Sequence, residues 1–326
     1  MLRKILLAQP RGFCAGVDRA IKIVDLALER YGAPLYVRKE IVHNRHVVES
    51  FQRRGVIFVD ELQEVPADAT VIFSAHGVSP AVPAEAEARG LTAIDATCPL
   101  VNKVHAEVLR YVGRGYHILL IGHRGHDEVV GTMGHAPKSI TLITNGDDAL
   151  NAQVPVADKL MVLCQTTLSV DETAETLAAL RRRFPNLETP GADDICYATQ
   201  NRQNGVKALS KTCQGVLIVG SANSSNAARL VDVAESRGVK ALLIDRVEDL
   251  PADQMNVWLD GIETLGISSG ASTPEKLVEE LLDKLIRDHS PEVALATTVE
   301  EDVVFSLPPQ LSLRPSPRQG KSPETK

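Results

Sequence analysis

No apolar run among the 326 residues approaches the roughly 20 needed to cross a bilayer, which excludes a helical membrane protein. A secretory leader is not expected either, because Cys14 and Asp18 interrupt the only apolar start. Positive charge is in deficit, with 35 Lys and Arg against 42 Asp and Glu and a net charge of -7. That balance argues against general nucleic-acid binding and leaves no polybasic surface for a membrane. Cysteine is sparse, odd in number and widely spaced, so the five thiols do not form a disulfide framework. A cytoplasmic protein with reduced thiols is expected. No CxxC pair of the kind that builds structural zinc sites occurs. There is also no Walker A loop and no GxGxxG after the first strand, so nucleotide binding has little support.

What is present is an alternation of short β-branched runs with helical patterns, over a length that suits two or three domains. Lys4–Ala8 reads as a buried strand, followed by Val17, Ala20, Ile21, Val24, Ala27 and Leu28 at helical spacing. Further strands are expected at 56–59, 70–73, 118–121, 160–163, 216–219 and 241–244. Ser169 and Glu172 form a capping box at the start of one intervening helix, and Ala227, Leu230, Val231 and Ala234 share a face of another. Such βαβ order implies α/β architecture with parallel sheets and functional loops at the carboxyl ends of strands.

A strand, a cysteine and a helix recur at Cys14, Cys98 and Cys196, 84 and 98 residues apart. Each interval is the size of one small α/β unit, so three similar lobes are expected, each presenting one thiol. Residues 14–97 form the first lobe and 98–195 the second. Residues 196–290 form the third, with 1–13 returning to close the ring. Residues 291–326 make a C-terminal segment, with Glu300–Phe305 docked and a disordered tail from Pro308 through Pro315, Pro317 and Pro323.

Gly12 and Gly16 flank Cys14 and allow close backbone approach, while helix-start amides are expected to lower its thiol pKa. Cys14, Cys98 and Cys196 could hold zinc, an iron–sulfur cluster or nothing. Cys164, inside an apolar strand, and Cys213 read as core residues. His43, His76 and the pair His123 and His126 all follow apolar strands, beside glycines, where ligands bind in α/β folds. His123 is the weakest of these. Glu128 lies in the same Gly- and His-rich loop and is a general-acid candidate if burial keeps it protonated. Thr166 and Thr167 offer hydroxyls at another strand end, Ser169 being used as a cap. The serine- and asparagine-rich turns at 220–226 and 266–274 cluster more hydroxyls than capping requires and suit an anion such as phosphate.

Nine ordered stretches, RGFCAGVDRAI, EIVHN, SAHGVS, DATCPLV, GHRGHDEVVGTMG, QTTLSVDET, DDICYATQNRQ, GSANSSN and GAST, resemble the 4-hydroxy-3-methylbut-2-enyl diphosphate reductase family. The likeness runs from about residue 4 to about residue 275, with Ser268-Ser269 in place of a more usual Thr-Ala. It implies a pseudo-threefold α/β trefoil around a central [4Fe–4S] cluster held by Cys14, Cys98 and Cys196, with one open iron. It implies diphosphate contacts at His43, His76, His126, Ser224, Asn226 and Ser272, with Thr167 and Ser225 as further contacts and Thr199 near the cluster. Glu128 and Thr166 would deliver protons. The implied reaction is reductive dehydroxylation of an allylic diphosphate to isopentenyl and dimethylallyl diphosphates, with electrons from a donor such as ferredoxin or flavodoxin. A zinc-dependent hydrolase and a non-catalytic iron–sulfur sensor are the alternatives.

Overall fold

The computed structural model describes residues 2–155, 158–191 and 193–312. Its opening strand, β1 (Lys4–Gln9), belongs to a sheet completed only at the far end of the chain. The first sheet to be completed contains β2 (Leu35–Arg38), β3 (Val56–Val59), β4 (Thr70–Phe73) and β5 (Thr92–Asp95), in the order β3-β2-β4-β5. The second contains β6 (His117–Ile121), β7 (Ile140–Ile143) and β8 (Leu160–Cys164), in the order β7-β6-β8. The third contains β9 (Gly215–Val219), β10 (Lys240–Ile244), β11 (Thr264–Ser269) and β12 (Glu292–Thr297), in the order β10-β9-β11-β1-β12. Every pairing is parallel. The result is a three-lobed α/β protein.

Parallel strands need both faces covered, and the side-chain alternation shows that they are. In β4, Ile72 enters one apolar cluster while Val71 and Phe73 enter another. In β6, Leu119 and Ile121 face one cluster, and Ile118 and Leu120 face its opposite. In β9, Leu217 and Val219 separate from Val216 and Ile218 in the same way. The helix Ala15–Tyr31 lays Val17, Ala20, Val24 and Ala27 onto the first sheet's cluster.

Three strands, β2, β7 and β12, add to those expected, and β12 is an edge strand whose residues are half or fully exposed. Because β12 pairs with β1 along its whole length, the third sheet extends past the boundary drawn at 290. The strand expected immediately before Cys196 is absent. Its counterpart is a single bridge from Met161 to Glu188, and the Asp194 carboxylate, rather than a backbone carbonyl, accepts the Cys164 N–H at 3.0 Å. Two adjacent aspartates favour such side-chain substitution over a ladder.

Beyond β12 the chain folds back over the Cys14 helix. Arg19 Nε donates to the Ser306 carbonyl at 2.7 Å, and Leu307 and Leu311 pack on the cluster that includes Phe13 and Cys14. Pro309–Ser312 form a short helix, whereas Pro315, Pro317 and Pro323 lie outside the described residues. Glu301 anchors this return by an ion pair at 3.1 Å to Arg202, whose side chain is fully buried. Arg202 also donates to the Gly12 carbonyl at 2.7 Å, so one guanidinium ties together the Cys196 helix, the Cys14 turn and the C-terminal segment. No helix among the described residues is long and apolar enough to cross a membrane.

Removing one partner of a buried pair leaves an uncompensated charge. Glu301→Ala is therefore expected to destabilise the protein by about 3 kcal/mol in denaturant unfolding.

Candidate active site

The three cysteines occupy equivalent positions. Each is the residue immediately before a helix: Cys14 before Ala15–Tyr31, Cys98 before Pro99–Val112 and Cys196 before Tyr197–Leu209. Each donates its N–H to the carbonyl two residues beyond a strand end. Cys14 bonds Ala271 after β11 at 3.0 Å, Cys98 bonds Ala75 after β4 at 2.9 Å, and Cys196 bonds Thr166 after β8 at 3.0 Å. The thiols therefore meet about a common axis. A Cβ built on Gly16 would lie 2.6 Å from Cys98 Sγ and 3.8 Å from Cys14 Sγ, so this position has to be glycine for the sulfurs to keep their space. Gly12, at a φ of +71°, makes the preceding turn and donates its N–H to Ser269 Oγ at 2.8 Å.

Helix-start amides do not lower the thiol pKa at Cys98 and Cys196, which sit at the same kind of junction as Cys14. Burial pushes Cys98 up to about 12, aided by Cys14 and Cys196 and only partly opposed by the Leu100 and Val101 amides. Burial likewise pushes Cys196 up to about 11, against hydrogen bonds from Thr199. Helix-start amides are outweighed because three thiolates cannot share a buried space without a cation among them. That donor set suits a thiolate-bound metal group, such as an iron–sulfur cluster, which would supply the missing positive charge.

Around the thiols runs a second threefold pattern. His76, Thr167 and Ser272 each stand three residues beyond the ends of β4, β8 and β11. His43, His126 and Ser224 each stand five residues beyond the ends of β2, β6 and β9. His43 and His76 stack with ring centroids 3.9 Å apart, and His126 meets both edge-on at 5.3 and 5.9 Å. Ser224 and Ser272 place their hydroxyls 3.5 Å apart, and Ser272 Oγ donates to the His43 carbonyl at 2.9 Å. Asn226 accepts the Ala271 N–H at 2.8 Å and donates to Thr199 Oγ1 at 3.3 Å. Thr199 Oγ1 in turn lies 3.1 Å from Cys196 Sγ.

Burial holds His76 and His126 below the ordinary imidazole range, His126 at about 3. His126 Nδ1 accepts the Glu128 N–H at 3.2 Å, which places its ring proton on Nε2. Glu128 is 2% exposed, and its two carboxyl oxygens meet the Thr166 N–H at 2.6 Å and Thr166 Oγ1 at 2.9 Å. Burial pushes this carboxyl up to about 7 despite those two bonds. Such a group can hold a proton at neutral pH and release it at small cost.

One cavity gathers Cys14, Cys98, Cys196, His43, His76, His126, Glu128, Thr166, Thr167, Ser224, Ser225, Asn226 and Ser272. Its volume is about 100 Å³. No lysine or arginine lines it among the described residues. His123 stands outside the lining, with Nδ1 3.4 Å from Ser225 Oγ. Cys164 ends β8 and Cys213 is buried in the third lobe's core. Sequence reasoning missed four polar residues around the cavity. Gln165 supports Thr167 at 2.8 Å and accepts the His123 N–H at 2.9 Å. Glu40 and Asp127 flank His43, and Asn223 donates to Glu40 at 2.8 Å. Only their nearness in the chain to His43, Glu128, Thr166 and Ser224 could have pointed to them.

Comparison with known proteins agrees with this arrangement. The family model described as LytB protein matches residues 5–286. The 4-hydroxy-3-methylbut-2-enyl diphosphate reductase of Leifsonia xyli subsp. xyli is 56% identical over 309 residues, 95% of this chain and 91% of that protein. The enzyme of the same name from Nocardia farcinica is 55% identical, covering 95% of this chain and 91% of its own. The structure of the E-1-hydroxy-2-methyl-but-2-enyl-4-diphosphate reductase from Plasmodium falciparum superposes with a TM-score of 0.91 at 36% identity, covering 95% and 97% of the two chains. Three lobes, three convergent thiols and a match spanning most of the sequence place this chain in the LytB family, with its trefoil fold.

Proposed function

We propose that Cys14, Cys98 and Cys196 hold a [4Fe–4S] cluster with one iron open, beside a subsite in which the imidazoles and hydroxyls bind a diphosphate. The activity is that of a 4-hydroxy-3-methylbut-2-enyl diphosphate reductase, the last step of the non-mevalonate pathway. The LytB family is one of iron–sulfur enzymes, which fits the donor set. The lobes follow the limits 14–97, 98–195 and 196–290 with 1–13, β12 joining the third and 298–326 remaining as the terminal segment. A ferredoxin or flavodoxin is the electron donor in this reading, and the cytoplasm its compartment.

Two electrons and two protons convert the allylic alcohol to isopentenyl or dimethylallyl diphosphate and water. When bound, the cluster supplies the electrons and a Lewis-acidic position for the hydroxyl. The chain's own residues do the rest. His43, His76, His126, Thr167, Ser224, Ser225, Asn226 and Ser272 fix the diphosphate, and that remote binding orients the reacting end of the substrate. Glu128, with Thr166 Oγ1 as the relay, gives a proton to the departing hydroxyl oxygen. The observation that carries this reading is a single one. A carboxyl kept protonatable by burial shares one cavity with three convergent thiols.

Glu128→Gln is expected to keep iron content and substrate affinity while losing turnover by about 10²- to 10⁴-fold, measured with a reduced dye as donor. In the unsubstituted enzyme the protonated acid is the active form. Turnover should therefore fall as pH rises through about 7. Gly16→Ala should fold yet fail to retain iron, because its methyl group would occupy space next to Cys98 Sγ; iron analysis beside circular dichroism checks this.

A further inference from the structure

We propose that Arg19, Lys103 and Arg202 are positioning residues, a ring of cations that clamps the three cysteine turns together and keeps positive charge beside the thiolates. This rests on the cluster reading above and deepens it. The starting point is a shortfall of charge. Three buried sulfurs need compensation, and the helix-start amides do not supply enough of it at Cys98 and Cys196.

The helix behind each cysteine carries one of these basic side chains at nearly the same position. Arg19 stands five residues after Cys14, Lys103 five after Cys98 and Arg202 six after Cys196. Each reaches across to the turn that leads into a different cysteine. Arg19 donates from one nitrogen to the carbonyls of Ala96 and Thr97, at 3.2 and 3.0 Å, immediately before Cys98. Lys103 Nζ donates to the Asp193 carbonyl at 3.0 Å, three residues before Cys196. Arg202 donates to the Gly12 carbonyl at 2.7 Å, two residues before Cys14. The Cys14 helix thus holds the Cys98 turn, the Cys98 helix holds the Cys196 turn, and the Cys196 helix holds the Cys14 turn. Contacts in one cyclic order close a ring, which unrelated surface bonds would not do.

The three cations differ in their other partners. Arg202 pairs with Glu301 at 3.1 Å, and Lys103 lies 3.4 Å from Asp194 and 3.9 Å from Glu107. Among the described residues, Arg19 donates to carbonyls alone, Ser306 at 2.7 Å being the other. Burial lowers the Arg19 guanidinium from its ordinary value, and the charges of Asp95 and Cys98 oppose that effect. The Cys98 sulfur is therefore within electrostatic reach of this guanidinium, which stays charged. A cation there favours added negative charge, so it raises the potential at which a bound cluster accepts an electron.

The test uses Arg19→Gln, Arg19→Lys, Lys103→Gln and Lys103→Arg enzymes, each loaded with iron and sulfide in the absence of oxygen. These two positions are partly exposed, whereas Arg202 is fully buried and its variants are set aside. Both Gln variants should release iron to a ferrous chelator about tenfold faster than the original protein. Lys103→Arg, which keeps a donor and the charge, should restore the original rate. Redox titration followed by electron paramagnetic resonance reads the charge itself. Arg19→Gln should be reduced about threefold less favourably, a midpoint about 28 mV more negative at about 59 mV per tenfold for one electron. Arg19→Lys should return the midpoint to that of the original protein. An original rate of iron release in either Gln variant would overturn the proposal. So would an unshifted midpoint in Arg19→Gln, or one shifted as far in Arg19→Lys. If the original protein takes up no iron, the cluster reading itself falls, a result distinct from iron-loaded variants that match the original.

Discussion

The burial of three sulfurs in one space is the constraint on which the rest of the structure depends. Cys98 and Cys196 are driven far from the thiolate form by burial first and by the neighbouring Cys14 second, yet backbone bonds to Ala271, Ala75 and Thr166 keep all three thiols facing one space. Such an arrangement suits a positively charged group placed among the sulfurs. The Arg202 guanidinium contributes from behind, fixing the Cys14 turn against the Cys196 helix and the returning C-terminal segment.

The threefold repetition explains how one chain makes so specific a cavity. Corresponding strands end at corresponding depths, and the residues three and five beyond those ends point to the same place. In the first lobe both are histidines, in the third both are serines, and in the second they are Thr167 and His126. One scaffold rule therefore yields a graded wall of imidazoles and hydroxyls. In the proposed reading, anion binding relies on hydrogen-bond donors and helix starts in place of a cluster of basic side chains.

Much of this was legible in the sequence. The cysteines stood out because each interrupts the junction of an apolar run and a helix, and the histidines because each follows a strand. Other features depend on contacts between distant residues and left no local trace. Asp193 to Ile195 looks like a strand, but Asp194 bonds Cys164 by its side chain and the ladder is lost. The rise in thiol pKa depends on three residues 84 and 98 positions apart sharing one buried space. Glu40 and Asp127 look like ordinary surface charges until the folded chain sets them on either side of His43.

The most direct measurement is Mössbauer spectroscopy of protein purified without oxygen, recorded before and after addition of the allylic diphosphate. Three thiolate ligands around a four-iron cluster predict one iron whose signal changes on adding substrate while the other three hold theirs. Colourless protein without iron, or a spectrum that the substrate leaves untouched, would contradict the account.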